Sequence, residues 1–108
     1  HSLVQQLIDA KQITREDAYS HPQRNLIYQS IGDGPNIKPD LFEQNLQDGD
    51  RLILCSDGLW EMVRDDGIER IMLTEMDPTR AANELVRLAN LAGGEDNISV
   101  IVVRLSRA

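Results

Sequence analysis

A chain of 108 residues can enclose one modest hydrophobic core, and 41% hydrophobic with 27% charged residues is the make-up of an ordinary globular domain. The formal net charge of −7 argues against nucleic acid or an anionic membrane as partner, since both ask for a basic surface; it suits a binder of cations, or acidic solubility alone. A single cysteine, Cys55, excludes an internal disulfide framework, and with no stretch resembling a membrane span or a signal peptide the expected location is the cytoplasm.

Residues 2–10 predict a short helix. Ser2 is its cap, Gln5 stands three residues on as the capping-box partner, and Leu3, Val4, Leu7 and Ile8 form its apolar face. Thr14 followed by Asp17 marks a second helix start, with the helix running to about Tyr19. His21-Pro22 then breaks it, because the residue before a proline is pushed out of the helical region. His21 reads as a surface or flap residue in preference to a ligand. Residues 23–31 predict a further helix, with Ile27 and Ile31 four apart, and Gly32-Asp33-Gly34-Pro35 reads as a loop.

From residue 37 the period changes. The alternation over 41–47, with Phe42 and Leu46 on one face, predicts a weak strand. Asp48-Gly49-Asp50 would turn it into a second strand over 51–55, making a hairpin. Asp48 and Asp50 admit a metal reading as well as a turn reading. Leu52, Ile53, Leu54 and Cys55 form an apolar run expected to be buried, Cys55 as a small core hydrophobe. The run stops at Ser56-Asp57-Gly58, and Leu59, Trp60, Met62 and Val63 resume the apolar pattern, with Trp60 read as core. Asp65 or Asp66 caps a helix burying Ile68, Ile71 and Met72. Asp77 caps the next, with Pro78 in its first turn, Ala81, Leu85, Leu88 and Ala92 as its buried stripe and Gly93 as its end. Residues 98–105 predict the last strand.

Three strands make a poor sheet for this much helix. The sheet is therefore expected to continue in something outside the chain, and a first residue of His1 in place of Met points the same way. Self-association through open sheet edges is a further expectation.

Two stretches concentrate the chemistry. If the strands at 51–55 and 98–105 run antiparallel in one sheet, the end of the first and the start of the second share an edge, where Asp57 and Asp96 would face each other. Both are hard oxygen donors with no histidine or cysteine cluster near them in sequence, so Mg²⁺ or Mn²⁺ suits them better than zinc. Glu95 is a further candidate neighbour. On pattern alone the two aspartates are equally well turn and cap residues. A paired-carboxylate glycosidase lacks sugar-stacking aromatics beyond Trp60, and Ser56 as a nucleophile lacks a flanking elbow and a paired base.

Leu54-Cys55-Ser56-Asp57-Gly58-Leu59-Trp60 and Gly93-Gly94-Glu95-Asp96-Asn97-Ile98-Ser99-Val100 resemble the last two signature motifs of the metal-dependent protein serine/threonine phosphatases, the PPM or type 2C family, and most closely its bacterial members. His1 to Val4, Gln12 to Ala18, His21 to Asn25 and Ile31-Gly32 are similar to the segment those enzymes carry between the halves of their sheets. The resemblance implies an α+β fold, part of an antiparallel β-sandwich flanked by helix pairs and incomplete here. Residues 3–31 would be a flap-like helical segment, and 37–108 would supply sheet strands and flanking helices. It implies phosphomonoester hydrolysis on phosphoserine or phosphothreonine proteins, the targets of a cognate kinase, by a water activated at a binuclear Mn²⁺ or Mg²⁺ centre. Asp57 and Asp96 would be metal ligands, Gly58 and Asn97 would lie near them, and no catalytic residue beyond the ligands is implied.

The chain departs from the family pattern in two ways. The early motifs, which carry the metal-bridging aspartate and an Asp-Gly pair, have no counterpart and are expected upstream of His1. Gln29 stands where many relatives place arginine. With Asp57 and Asp96 alone a divalent ion would bind weakly, so the chain by itself is expected to be inactive. The rival readings are a non-catalytic phosphatase-like binding module and an acidic single-domain interaction protein.

Overall fold

The sheet of the computed structural model, which describes residues 3–22, 27, 29–32 and 34–107, is an antiparallel pair: β1 (Arg51–Cys55) and β2 (Val100–Arg104). The register sets Arg51 opposite Arg104, Ile53 opposite Val102 and Cys55 opposite Val100. Leu52 and Leu54 pair with Val103 and Ile101 on the other face. Beyond the ladder the pairing continues at both ends. Leu105 N–H donates to Asp50 C=O and Gly49 N–H to Leu105 C=O, both at 2.9 Å, and Ser56 N–H donates to Ser99 C=O at 2.9 Å.

This pairing corrects the expected hairpin. Residues 41–47 are irregular, and β1 takes as its partner a strand from the far end of the chain. The turn at 48–50 forms as read, with Gly49 at a positive φ of 90°, but it is closed by Asp50 N–H donating to Gln47 C=O at 3.1 Å. The Asp50 carboxylate accepts from Gln47 N–H at 2.9 Å, and the Asp48 carboxylate accepts from Arg107 N–H at 2.8 Å. Turn chemistry thus occupies both side chains whose metal reading was open.

Three helical segments connect the strands. The α3 turn (Asp57–Trp60) follows β1 directly, α4 spans Asp65–Thr74, and α5 spans Pro78–Leu91. Asp77 caps α5 as expected, its carboxylate accepting from Arg80 N–H at 3.1 Å, with Pro78 first in the helix. At the other end Gly94 N–H reaches back to Ala89 C=O at 3.1 Å and Gly93 N–H to Asn90 C=O at 3.2 Å, a Schellman closure that the positive φ of Gly93 permits. The cap of α4 differs from expectation. Arg64 holds that position, Asp65 and Asp66 lie inside the first turn, and the Asp66 carboxylate accepts from Gly67 N–H. Acidic side chains still suit that end, where the helix dipole is positive.

The core is small. Leu59, Val63, Ile71, Ala81, Leu85 and Ala89 are buried, and Ile53, Met62, Ile68, Met72, Leu88, Ile98, Val100 and Val102 pack against them. In α5 the buried stripe is Ala81, Leu85 and Ala89, a strict four-residue repeat, while Leu88 flanks it and Ala92 is an exposed C-cap. The alanines allow α5 to approach β2 and α4 closely. Only one face of the sheet is covered. Leu52 is 37% exposed, Leu54 57%, Ile101 61% and Val103 37%, so Leu52 and Leu54 of the run expected to be buried lie bare. Cys55, expected in the core, is exposed, and Trp60 is half-buried.

The chain divides into two units, 1–43 and 44–108, and the elements above belong to the second. The first contains α1 (Leu3–Asp9) and α2 (Arg15–Ser20). Thr14 and Asp17 form the expected reciprocal box: Asp17 N–H donates to Thr14 Oγ1 at 3.1 Å and Thr14 N–H to Asp17 Oδ2 at 3.3 Å. The helix stops at Ser20, before half-buried His21. The Ser2 cap of α1 and the side chains of Leu3 and Val4 lie outside the described residues, while Leu7 and Ile8 are half-buried. The helix expected over 23–31 is not formed at 27 and 29–31, and 23–26 and 28 lie outside the described residues. Gln29 instead clasps the Lys38 backbone with its amide, donating to the carbonyl at 3.0 Å and accepting from the N–H.

Leu85 has no exposed surface and sits at the centre of this core. Leu85→Ala is expected to destabilise the fold by about 2–5 kcal/mol, whereas Leu54→Ala on the bare face should stay within about 0.5 kcal/mol. Urea unfolding of both variants checks this; equal losses would mean that the bare face is covered in solution.

Candidate functional site

The end of the sheet where β1 leaves and β2 enters brings the two motif stretches together. Past Cys55 the chain continues through Ser56 and winds at once into α3, with Glu61 N–H donating to Asp57 C=O at 3.0 Å and Leu59 N–H to Ser56 C=O at 3.1 Å. Fully buried Leu59 drives this turn, since winding immediately is what carries its side chain into the core. Asp57 is thereby left exposed as the first residue of α3.

Opposite it, the chain leaves α5 through Gly93-Gly94 and passes Glu95, Asp96 and Asn97 before β2. Buried Gly58 lies against the Asn97 peptide: a Cβ built on Gly58 would stand 2.1 Å from Asn97 C=O oxygen and 3.5 Å from the Asp96 carbonyl carbon. No side chain fits there. Asp57 and Asp96, each adjacent in sequence to one partner of this contact, thus share the sheet end expected of them. Asp96 Oδ1 accepts from Asn97 N–H at 2.7 Å. Glu95 folds back over Gly93, its Cγ 3.6 Å from where a Cβ would be.

Ser56 joins the two sides in a way the sequence reading missed. It occupies the N-cap of α3 with extended backbone, yet its hydroxyl makes no cap hydrogen bond. It accepts instead from Ser99 N–H at 3.0 Å and donates to Asn97 C=O at 3.1 Å. A serine before a helix reads as a cap, and nothing local distinguishes this use of it.

The donor chemistry fits a hard divalent cation that keeps much of its water. Asp57 and Asp96 are exposed carboxylates at one edge, and among the described residues no basic side chain pairs with either. They do not make a closed cage: among the described residues no three His, Cys, Asp or Glu side chains come close enough to share an ion, so Glu95 does not complete a set.

Cys55 adjoins this end of β1. Desolvation by its neighbours, and secondarily the negative charge of Asp65, push its thiol above the ordinary value. Alkylation by iodoacetamide is therefore expected to follow a pH profile displaced upward from that of a free thiol, and Asp65→Asn should raise the rate at a fixed pH by lowering the thiol pKa. A variant reacting no faster than the parent would remove Asp65 as a cause.

The family model described as protein phosphatase 2C matches residues 30–98. Protein phosphatase PhpP of Streptococcus pneumoniae is 44% identical over 106 residues, an alignment that takes in 98% of this chain and 43% of that protein. The chain thus spans less than half the length of this curated relative. Among solved structures, the serine/threonine phosphatase Stp1 from Staphylococcus aureus matches with a TM-score of 0.92 at 36% identity, over 99% of this chain and 42% of that one. The catalytic domain of the serine/threonine protein phosphatase PstP, solved with two manganese ions, matches with a TM-score of 0.78 at 34% identity, over 98% of this chain and 43% of that one.

Proposed function

The chain belongs to the protein phosphatase 2C family, and from that premise we propose that it is part of a metal-dependent protein serine/threonine phosphatase, contributing one half of the metal centre. The observation that carries this reading is the contact between Gly58 and Asn97, which brings the two motif stretches to one sheet end. Asp57 and Asp96 are the residues that would hold the ion, with Gly58 and Asn97 as the backbone between them. The manganese ions of the PstP structure support Mn²⁺ as the cation, with Mg²⁺ the other candidate of the same hard-oxygen chemistry. A cation bound there would supply charge stabilisation for a phosphoryl group and a lowered water pKa. The chain's own part is to hold two carboxylates at fixed positions on a rigid sheet end that opens to solvent.

The substrates on this reading are phosphoserine and phosphothreonine proteins in the cytoplasm, modified by a cognate kinase. The net charge of −7 disfavours nucleic acid and anionic membranes as partners, and among the described residues no helix is long and apolar enough to cross a membrane. Residues 3–31 act as a flap-like segment, and 37–108 supply strands and flanking helices of a sandwich whose remaining layers, and whose remaining metal ligands, come from outside this chain. The bare apolar face of Leu52, Leu54, Ile101 and Val103 supports that division.

Hydrolysis of an aryl phosphate with Mn²⁺ tests the proposal. This chain and its Asp57→Asn variant are expected to be equally silent alone. Mixing the chain with a separately produced segment carrying the family's early aspartate motifs should restore turnover, which Asp57→Asn should lower about a hundredfold or more, the scale of losing a main charge stabiliser. Turnover by the chain alone that vanishes in the variant would overturn the requirement for outside ligands. Restored turnover indifferent to Asp57 would overturn its role.

Open edges on β1 and β2 among the described residues support self-association of the chain as a further part of this reading. Light scattering over a concentration series should report a rising mean mass, and a constant monomer mass would refute it.

A further inference from the structure

We propose that Ser56 is a positioning residue for the metal half-site: its hydroxyl sets where the Asp96–Asn97 segment lies relative to Asp57. The inference rests on the phosphatase reading above and adds to it a residue that ligates nothing.

Three observations carry it. First, the hydroxyl uses its donor and an acceptor position on one segment, donating to Asn97 C=O at 3.1 Å and accepting from Ser99 N–H at 3.0 Å. Those two bonds fix the peptide planes on both sides of Ile98, one residue beyond the peptide that follows Asp96. Second, the hydroxyl leaves the N-cap of α3 without a side-chain bond, although serine is among the best residues for that purpose. Where a side chain gives up the local bond its position favours, the competing interaction is the one to explain, and such exceptions collect at functional sites. Third, the segment is held from a second side. Gly58 admits Asn97 C=O to a place where any Cβ would stand 2.1 Å away. The same carbonyl is therefore located by a hydrogen bond from Ser56 and by the absence of a side chain at Gly58.

The consequence reaches the carboxylate through one residue. Asp96 Oδ1 is held by Asn97 N–H at 2.7 Å, so the Asn97 residue whose carbonyl Ser56 fixes carries, on its other side, the N–H that holds the Asp96 side chain. Oδ1 is so engaged, and Oδ2 carries no hydrogen bond among the described residues. Groups that orient ligands in this way typically change metal affinity about 10- to 100-fold when removed. A hydroxyl that merely stapled two strands would alter stability and leave the affinity unchanged.

The test is Mn²⁺ binding to this chain, followed by the loss of the free-ion electron paramagnetic resonance signal, with thermal unfolding of each protein recorded alongside. Asp57→Asn identifies the site. Ser56→Ala, at a temperature where it is fully folded, is expected to weaken Mn²⁺ binding about tenfold or more, while Ser56→Thr, which keeps the hydroxyl, should stay within about twofold of the parent. Should Ser56→Ala not fold, Ser56→Cys, similar in volume and a weak donor, takes its place with the same expectation. Parent-like affinity in a folded Ser56→Ala or Ser56→Cys protein would overturn the positioning role and leave the phosphatase reading standing. Mn²⁺ binding by the parent that is indifferent to Asp57 would overturn the half-site, and the role of Ser56 with it.

Discussion

The antiparallel register of β1 and β2 is the constraint on which the rest of this structure depends. Pairing Cys55 with Val100 makes Ser56 and Ser99 the next pair along, and their backbone bond at 2.9 Å carries the alignment past the ladder. A one-residue slip of β1 would turn Ile53 away from the helices and set Leu52 or Leu54 against them. It would also separate Gly58 from Asn97, the contact on which the candidate site rests. The helices enforce the register from one side: α5 covers β2, and Leu59 of α3 is drawn into the same core. Burial of a few apolar side chains thus determines where two exposed carboxylates stand.

Several parts of the fold were legible because their causes are local. The Thr14–Asp17 box, the Asp77-Pro78 start of α5 and the Gly93-Gly94 stop are each decided by residues within six positions of one another, and all three formed. The shared sheet end of Asp57 and Asp96 was legible for a different reason. An apolar run ending in Ser-Asp-Gly and a Gly-Gly-Glu-Asp-Asn run entering a β-branched strand are mirror patterns, and antiparallel pairing is the arrangement that joins them.

What was not legible is non-local. The alternation over 41–47 has the period of a strand, but period does not choose a partner, and β1 pairs with residues about fifty positions onward. Leu52 and Leu54 sit in an uninterrupted apolar run, which reads as burial on both faces, whereas the helices cover one face only. Ser56 draws notice in the sequence only as a nucleophile without a paired base, and its cross-strand bonds depend on a segment 43 residues away in the chain. The helix expected at 23–31 gave way at Gln29 to a side-chain clasp on Lys38, a pairing that propensity does not anticipate.

That 43-residue separation has a kinetic meaning. The Ser56–Ser99 bonds close a loop containing α3, α4 and α5, so the chain entropy lost on closure has to be offset before either bond can form. Contacts of such long sequence separation depend on the structure between them, and they slow folding in proportion to the share they hold of all contacts. The helices between the two motifs therefore act as a spacer that shortens the effective loop: α5, 14 residues long and capped at both ends, replaces flexible chain with a rod of about 21 Å. The two motifs lie far apart in sequence yet are separated by little free chain.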